Sequence, residues 1–256
     1  MLELVQAIRY VTPLREGGSL PGIVEADDDG TYVMKFRGAG QGLKALVAEV
    51  IVGEIGRAIG LHVPEMRAVT LDGRIAKYEA DEEVQDLLTA SVGLNLGVDF
   101  LPGSFGYDGS RPASPQEAAM VLWLDAFTAN VDRTWSNPNL LVWHGQTWAI
   151  DHGAALYFHH SWPARAPDPD RFAAQPFDAS KHVLLDIAAD LLPLHDVLAD
   201  MVLSSLLGGV LAQVPDEWLE PTDVLPDAET VRTAYRLNLL ARLDNPSAWL
   251  PGGGRS

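Results

Sequence analysis

Apolar and polar positions follow two different periods along the chain, and the change of period divides it near residue 100. Up to there, short alternating runs mix with one apolar helix. Beyond it the pattern is mainly helical, with one hairpin. In REGGSLPGIVEADDDGTYVMKF a glycine-containing turn leads to a short strand, an Asp29-Gly30 turn and a second strand, which is a hairpin signal. Thr31, Val33 and Lys35 share one face of that second strand, and Tyr32, Met34 and Phe36 the other. A lysine thus alternates into an otherwise small face. After the glycine-rich RGAGQG, the run KALVAEVIVGEIGRAIG predicts an apolar helix from Lys44 to Ala58, stopping near Gly60. Glu49 lies in its middle, on the side of Ala45, Val52 and Gly56. A carboxylate on an apolar face needs a partner. Residues 71–83 read as a loop, and a strand is expected around Gly97–Leu101, stopped by Pro102-Gly103.

Ser114 followed by Pro115 and Glu117 is a capping box with proline at the first helical position. The run AAMVLWLDAFTANV carries this helix to Val131. A polar loop runs from Asp132 to Asn139. Leu140–Trp143 and Thr147–Ile150 then form a hairpin around His144-Gly145-Gln146, ending on Asp151-His152-Gly153. Apolar runs over 183–192 and 197–214 predict further helices. The fold class is therefore α+β, with domains at 1–100 and 101–256.

Composition narrows the chemistry. With 18 basic and 35 acidic residues, the net charge is −17. That argues against nucleic acid as a partner and against docking on anionic membrane through a basic patch. No cysteine is present, which excludes disulfides, thiolate metal sites and cysteine nucleophiles and fits a cytoplasmic setting. The first residues lack the basic start and apolar run of a signal peptide. No apolar stretch reaches the length of a membrane span.

VDRTWSNPNLLVWHGQTWAIDHG holds the densest chemistry. The hairpin is expected to fold Asp151 back toward Asp132 and Asn137. Phosphoryl transfer uses such a set: a carboxylate to orient the acceptor hydroxyl, and an amide with a second carboxylate to hold magnesium. Asn137 stands at the catalytic-loop spacing after Asp132. Asn139 competes with it for the metal, since Pro138 intervenes.

DRTWSN followed by IDHG resembles the catalytic loop and metal-binding motif of the phosphatidylinositol 3-/4-kinase-like group. It is most similar to the HipA-like kinase family, in particular its compact stand-alone bacterial members. LREGGSLPGIVEADDDGTYVMKFRGAGQG fits the same group. The resemblance spans about Thr12 to Gly153. It implies a protein-kinase-like two-lobe fold, with a small mixed α/β N-lobe and a mainly helical C-lobe. It implies an ATP- and Mg2+-dependent phosphotransferase acting on a hydroxyl, expected on a protein Ser or Thr. Lys35 would contact the α/β-phosphates and Glu49 would pair with it. Asp132 would be the catalytic aspartate, with Asn137 and Asp151 as metal ligands. Gly18, Ser19 and Gly22 would lie over the phosphates, and Phe100 and Leu101 would offer backbone groups to adenine. Ser19 is also a candidate for self-phosphorylation. No full GxGxxG precedes Lys35, and His152 stands where many kinases carry phenylalanine.

Each signal has a plain structural counterpart. Lys35 reads equally as a solvated lysine ending an edge strand, and Asp132-Arg133 as a local ion pair closing a helix. Asn137-Pro138-Asn139 is ordinary turn chemistry. Their joint order favours the kinase reading. Two alternatives remain: a catalytically silent nucleotide-binding protein of kinase fold, and a metal-dependent phosphohydrolase using Asp151, His152 and the His159-His160 pair. Adjacent histidines on a strand point apart and chelate one ion poorly. Trp123, Trp135, Trp143, Trp148 and Trp162 are expected to pack in the core.

Overall fold

The computed structural model describes residues 1–14, 20–77, 79–203 and 206–252. The chain divides into two compact units. One comprises Met1–Val47 and Pro64–Pro102, the other Ala48–Val63 and Gly103–Ser256.

The first unit is built from β1 (Leu4–Pro13), β2 (Gly22–Ala26), β3 (Thr31–Lys35), the start of α1 (Gly42–Ala58), β4 (Met66–Leu71), α2 (Gly73–Ala76), α3 (Glu82–Ala90) and β5 (Gly93–Asp99). Its strands close a barrel in the order β1-β2-β3-β5-β4. Closure comes from parallel pairing of β1 with β4, Val5 standing opposite Val69, while the other neighbours run antiparallel. β3 therefore pairs on both sides and has no free edge. The edge-strand reading of Lys35 is replaced: Lys35 faces Leu96 across an interior pair. The expected split of faces is present, with Tyr32, Met34 and Phe36 buried and Thr31, Val33 and Lys35 half-buried. The buried set joins Val24, Val69, Leu71 and Leu88 in the barrel core. Gly97 permits a close approach, since a Cβ there would stand 2.5 Å from Val69 Cγ2.

Two features of this unit escaped the pattern. β1 carries irregularities between Ala7 and Arg9 and between Tyr10 and Thr12, which break the alternation that would reveal a strand. The segment 71–83, expected as loop, holds α2 and the start of α3, capped by Asp72 and Asp81. Asp81 Oδ1 accepts from the Glu83 and Val84 amides at 3.1 and 3.4 Å. Short charged helices with aspartate caps look like loop in composition.

The second unit contains the remainder of α1, then β6 (Phe105–Gly106), α4 (Pro115–Thr128), β7 (Leu140–Trp143), β8 (Gln146–Ala149), α5 (Pro169–Ala173), α6 (Leu192–Leu203), α7 (Leu206–Leu211), α8 (Ala228–Leu243) and α9 (Pro246–Trp249). Single 3-10 turns cover Tyr157–Ser161 and Asp216–Trp218. β6, β7 and β8 form a small antiparallel sheet. α4 starts at the anticipated capping box. It stops before Val131, because Ala129 turns left-handed at φ +56° and the Asn130 amide donates back to the Asp125 carbonyl at 2.8 Å. No helix among the described residues is long and apolar enough to cross a membrane.

Candidate active site

The loop after α4 turns its residues alternately out and in. Val131 and Asp132 are exposed, Arg133 is 1% exposed, and Trp135, Ser136 and Asn137 are exposed again. The loop closes on itself through paired Thr134 and Asn137 backbone hydrogen bonds at 3.0 and 3.1 Å. This brings Asn137 Nδ2 to donate to Asp132 Oδ2 at 3.0 Å. The Asp132 backbone is held on both sides. Its amide donates to Asn130 Oδ1 at 3.2 Å, and its carbonyl accepts from Asn139 Nδ2 at 2.7 Å. The two asparagines thus have different duties: Asn139 is a buried brace at φ +49°, and Asn137 meets the carboxylate.

Arg133 is the hub beneath this loop. Its guanidinium donates to both carboxylate oxygens of Asp125, at 2.5 and 3.3 Å. It also donates to the carbonyls of Asn139 and of Ile150, the latter at 3.3 Å. One buried cation therefore ties the Asp132 loop to the residue before Asp151. His182 Nε2 meets Asp125 at 3.0 Å, and His152 Nδ1 lies 3.4 Å from Arg133. Burial by itself would raise the Asp125 pKa. The charge of Arg133 and the hydrogen bond and charge of His182 outweigh it and hold the carboxylate below its usual range. Arg133 does not pair with Asp132 as a simple helix-ending ion pair; it turns inward to Asp125.

Asp151 follows β8 at φ +56°, a left-handed conformation that a non-glycine residue adopts at a cost. Two residues on, the buried Gly153 amide donates to Glu49 Oε1 at 2.8 Å. Glu49 is 3% exposed, so the carboxylate found mid-helix in the sequence does find a buried partner. The next residues fold back on α4, the Leu156 amide donating to the Thr128 carbonyl at 2.9 Å.

In the first unit, Lys35 ends β3. Gly22 pairs with Pro13 and Met34 beneath the Tyr10 ring. The Phe100 amide donates to the Thr31 carbonyl at 3.0 Å, and Leu101 is buried. Gly18 and Ser19 lie outside the described residues. Of the tryptophans, Trp123 and Trp162 are buried as expected. Trp135 is 59% exposed, beside the Tyr107 ring and Gly109. His159 and His160 sit on a 3-10 turn rather than a strand. His159 is buried against the Tyr235 hydroxyl at 2.8 Å, and His160 is exposed.

Asp125, Asn130, the inward role of Arg133, and His182 were not singled out from sequence. The signal for Asp125 was present: a carboxylate inside AAMVLWLDAFTANV needs a buried partner by the same logic as Glu49.

Asn137 donates through Nδ2, and its Oδ1 accepts nothing among the described residues. Amide and carboxylate oxygens are the donor types magnesium takes alongside phosphate oxygens, rather than those of zinc, and no cluster of three or more His, Asp or Glu side chains able to hold a metal stands among the described residues.

A model of the HipA-like kinase family matches residues 7–251. No curated protein matches the chain. Among solved structures, a Helicobacter pylori proinflammatory kinase, CtkA, is similar at TM-score 0.45 and 12% identity, over 94% of each chain. The Golgi casein kinase is similar at TM-score 0.44 and 12% identity, over 96% of this chain and 72% of that one. Its Mn/ADP-bound form gives 0.43 and 12%, over 96% and 74%.

Proposed function

The chain belongs to the HipA-like kinase family, and from that premise we propose that it moves the γ-phosphoryl of ATP to a hydroxyl on a protein Ser or Thr. Family membership supports a kinase-type phosphotransferase; the acceptor and the residue roles are our reading. On that reading the first unit is the small lobe and the second the large lobe of a kinase-like fold. The observation that carries it is the Asp132–Asn137 hydrogen bond, on a loop that Arg133 ties to Ile150, next to Asp151.

In this mechanism Asp132 accepts a hydrogen bond from the acceptor hydroxyl and orients its oxygen toward the γ-phosphorus. The new O–P bond forms as the bond to the β–γ bridging oxygen breaks. ADP leaves and the hydroxyl proton passes to Asp132. Asn137 steadies the Asp132 carboxylate through Nδ2. Lys35 contacts the α/β-phosphates, with Gly18, Ser19 and Gly22 over them and Phe100 and Leu101 at adenine. Glu49 fixes the turn after Asp151 through the Gly153 amide. Asn137 and Asp151 would hold magnesium, which would supply neutralisation of the phosphate charge.

The test is ADP release from purified protein with ATP and magnesium, followed by the intact mass of the protein. Release that falls at least about a hundredfold in Asp151→Ala and Asp132→Ala, with melting unchanged, is the expected result. A phosphoryl mass gain lost in Asp132→Ala would direct attention to Ser19. Full turnover in Asp151→Ala would sink the assignment.

A further inference from the structure

A cavity of about 740 Å³ lies within the second unit. Its wall starts at Ala129, the left-handed residue ending α4 ahead of Asp132, and continues through the segment that follows Asp151. Phe158, Trp162 and Phe172 give it an apolar side, the Phe158 ring lying 5.5 Å from that of Trp162 and 4.4 Å from that of Phe172. Asn238 of α8 also lines it and is 1% exposed. The Asn238 Nδ2 donates to the Ala234 carbonyl at 2.8 Å, while its Oδ1 has no hydrogen-bond partner among the described residues. A buried amide oxygen left unsatisfied is costly, and an incoming N–H or O–H would relieve it.

Arg165 and Arg171 stand exposed in the same wall. Among the described residues, no carboxylate pairs with either guanidinium. The lining carboxylate, Asp168, accepts from the Arg171 backbone amide at 3.0 Å as a helix cap. In a chain with 35 acidic and 18 basic residues, two arginines without a carboxylate partner at one cavity call for an anion. At the cavity's rim, Tyr157 is 72% exposed. An open apolar rim suits a macromolecule rather than an enclosed small molecule.

We infer that this cavity docks a polypeptide acceptor and selects a segment carrying Asp or Glu beside an apolar residue. The carboxylate meets Arg165 and Arg171, the apolar side chain fills the aromatic wall, and a backbone N–H meets Asn238 Oδ1. This deepens the kinase reading and rests on it. At −17 the chain as a whole repels an acidic segment, so the local guanidinium contacts must provide the selection.

The experiment uses the full chain and two fluorescein-labelled peptides, one with serine and phenylalanine among glutamates, the other with glutamine for every glutamate. Anisotropy should show the glutamate peptide binding at least about tenfold more tightly. Arg165→Ala with Arg171→Ala should abolish that preference, and Asn238→Leu should weaken both peptides, with melting curves confirming the fold. Equal affinities, or a preference that survives the double arginine substitution, would overturn the inference. So would binding of citrate without binding of peptide. ADP release is followed in parallel: release without peptide selectivity refutes the docking site alone, and selectivity without release refutes the kinase reading alone.

Discussion

Along β3, Tyr32, Met34 and Phe36 sink into the barrel, and Lys35 takes its place by register against Leu96. Around Asp132 the positioning falls to polar groups: Asn130, Asn137 and Asn139 hold the residue, and Arg133 grips the loop from below through Asp125. A strand positions a side chain by repetition, so its error is averaged over many apolar contacts. A loop positioned by a few buried hydrogen bonds depends on each one, and losing a partner leaves another group uncompensated.

The contrast is broken most sharply at the hub. Arg133→Met leaves Asp125 without its strongest counter-charge, and a loss on the order of 3–5 kcal/mol is expected in urea unfolding, with ADP release gone. Adding Asp125→Leu should restore much of the stability and none of the turnover, separating folding from positioning. Because Asp125 is held below its ordinary pKa, its contribution is complete above about pH 4 and is lost as pH falls through the lowered folded value. Unfolding measured against pH should show this acid loss in the wild type and its absence in the double variant.

In the barrel, Met34→Ala removes a fully buried side chain, and a loss of about 2–5 kcal/mol is expected. The effect of Met34→Ala on turnover per folded molecule should be far smaller than that of Arg133→Met. Equal losses of activity would erase the distinction.

Glu49 sharpens it further. Glu49→Ala strands the buried Gly153 amide and should lose about 1–3 kcal/mol by thermal melting. Glu49→Gln keeps an acceptor and should keep most of that stability. A fall in ADP release in the glutamine variant then reports the part of Glu49 that acts through charge. The smallest effect belongs to the helix start: Ser114→Ala opens the capping box and should lose about 1 kcal/mol.

The same contrast explains what the sequence made legible. The β2–β3 hairpin, the two faces of β3, the start of α4 and the β7–β8 hairpin all rest on period, turn residues or caps within a few positions. They appear where expected. Asp132, Asn137 and Asp151 were singled out through a local motif, and the structure joins the first two by a hydrogen bond. The Arg133 network was not, because its partners at Asp125, Ile150 and His182 are far apart in the chain and no short pattern links them. β1 hid behind its irregularities, and closure of the barrel by β1 and β4 is a long-range pairing that local pattern does not encode.

The exposure of Trp135 makes this loop optically accessible. The chain has seven tryptophans, and Trp123, Trp162, Trp218 and Trp249 are buried while Trp135 is 59% exposed, between Asp132 and Asn137. Its indole emits at longer wavelength than buried ones and meets a neutral quencher such as acrylamide far more often. Difference spectra against Trp135→Phe therefore isolate its emission and follow occupancy near Asp132 in real time, without a label.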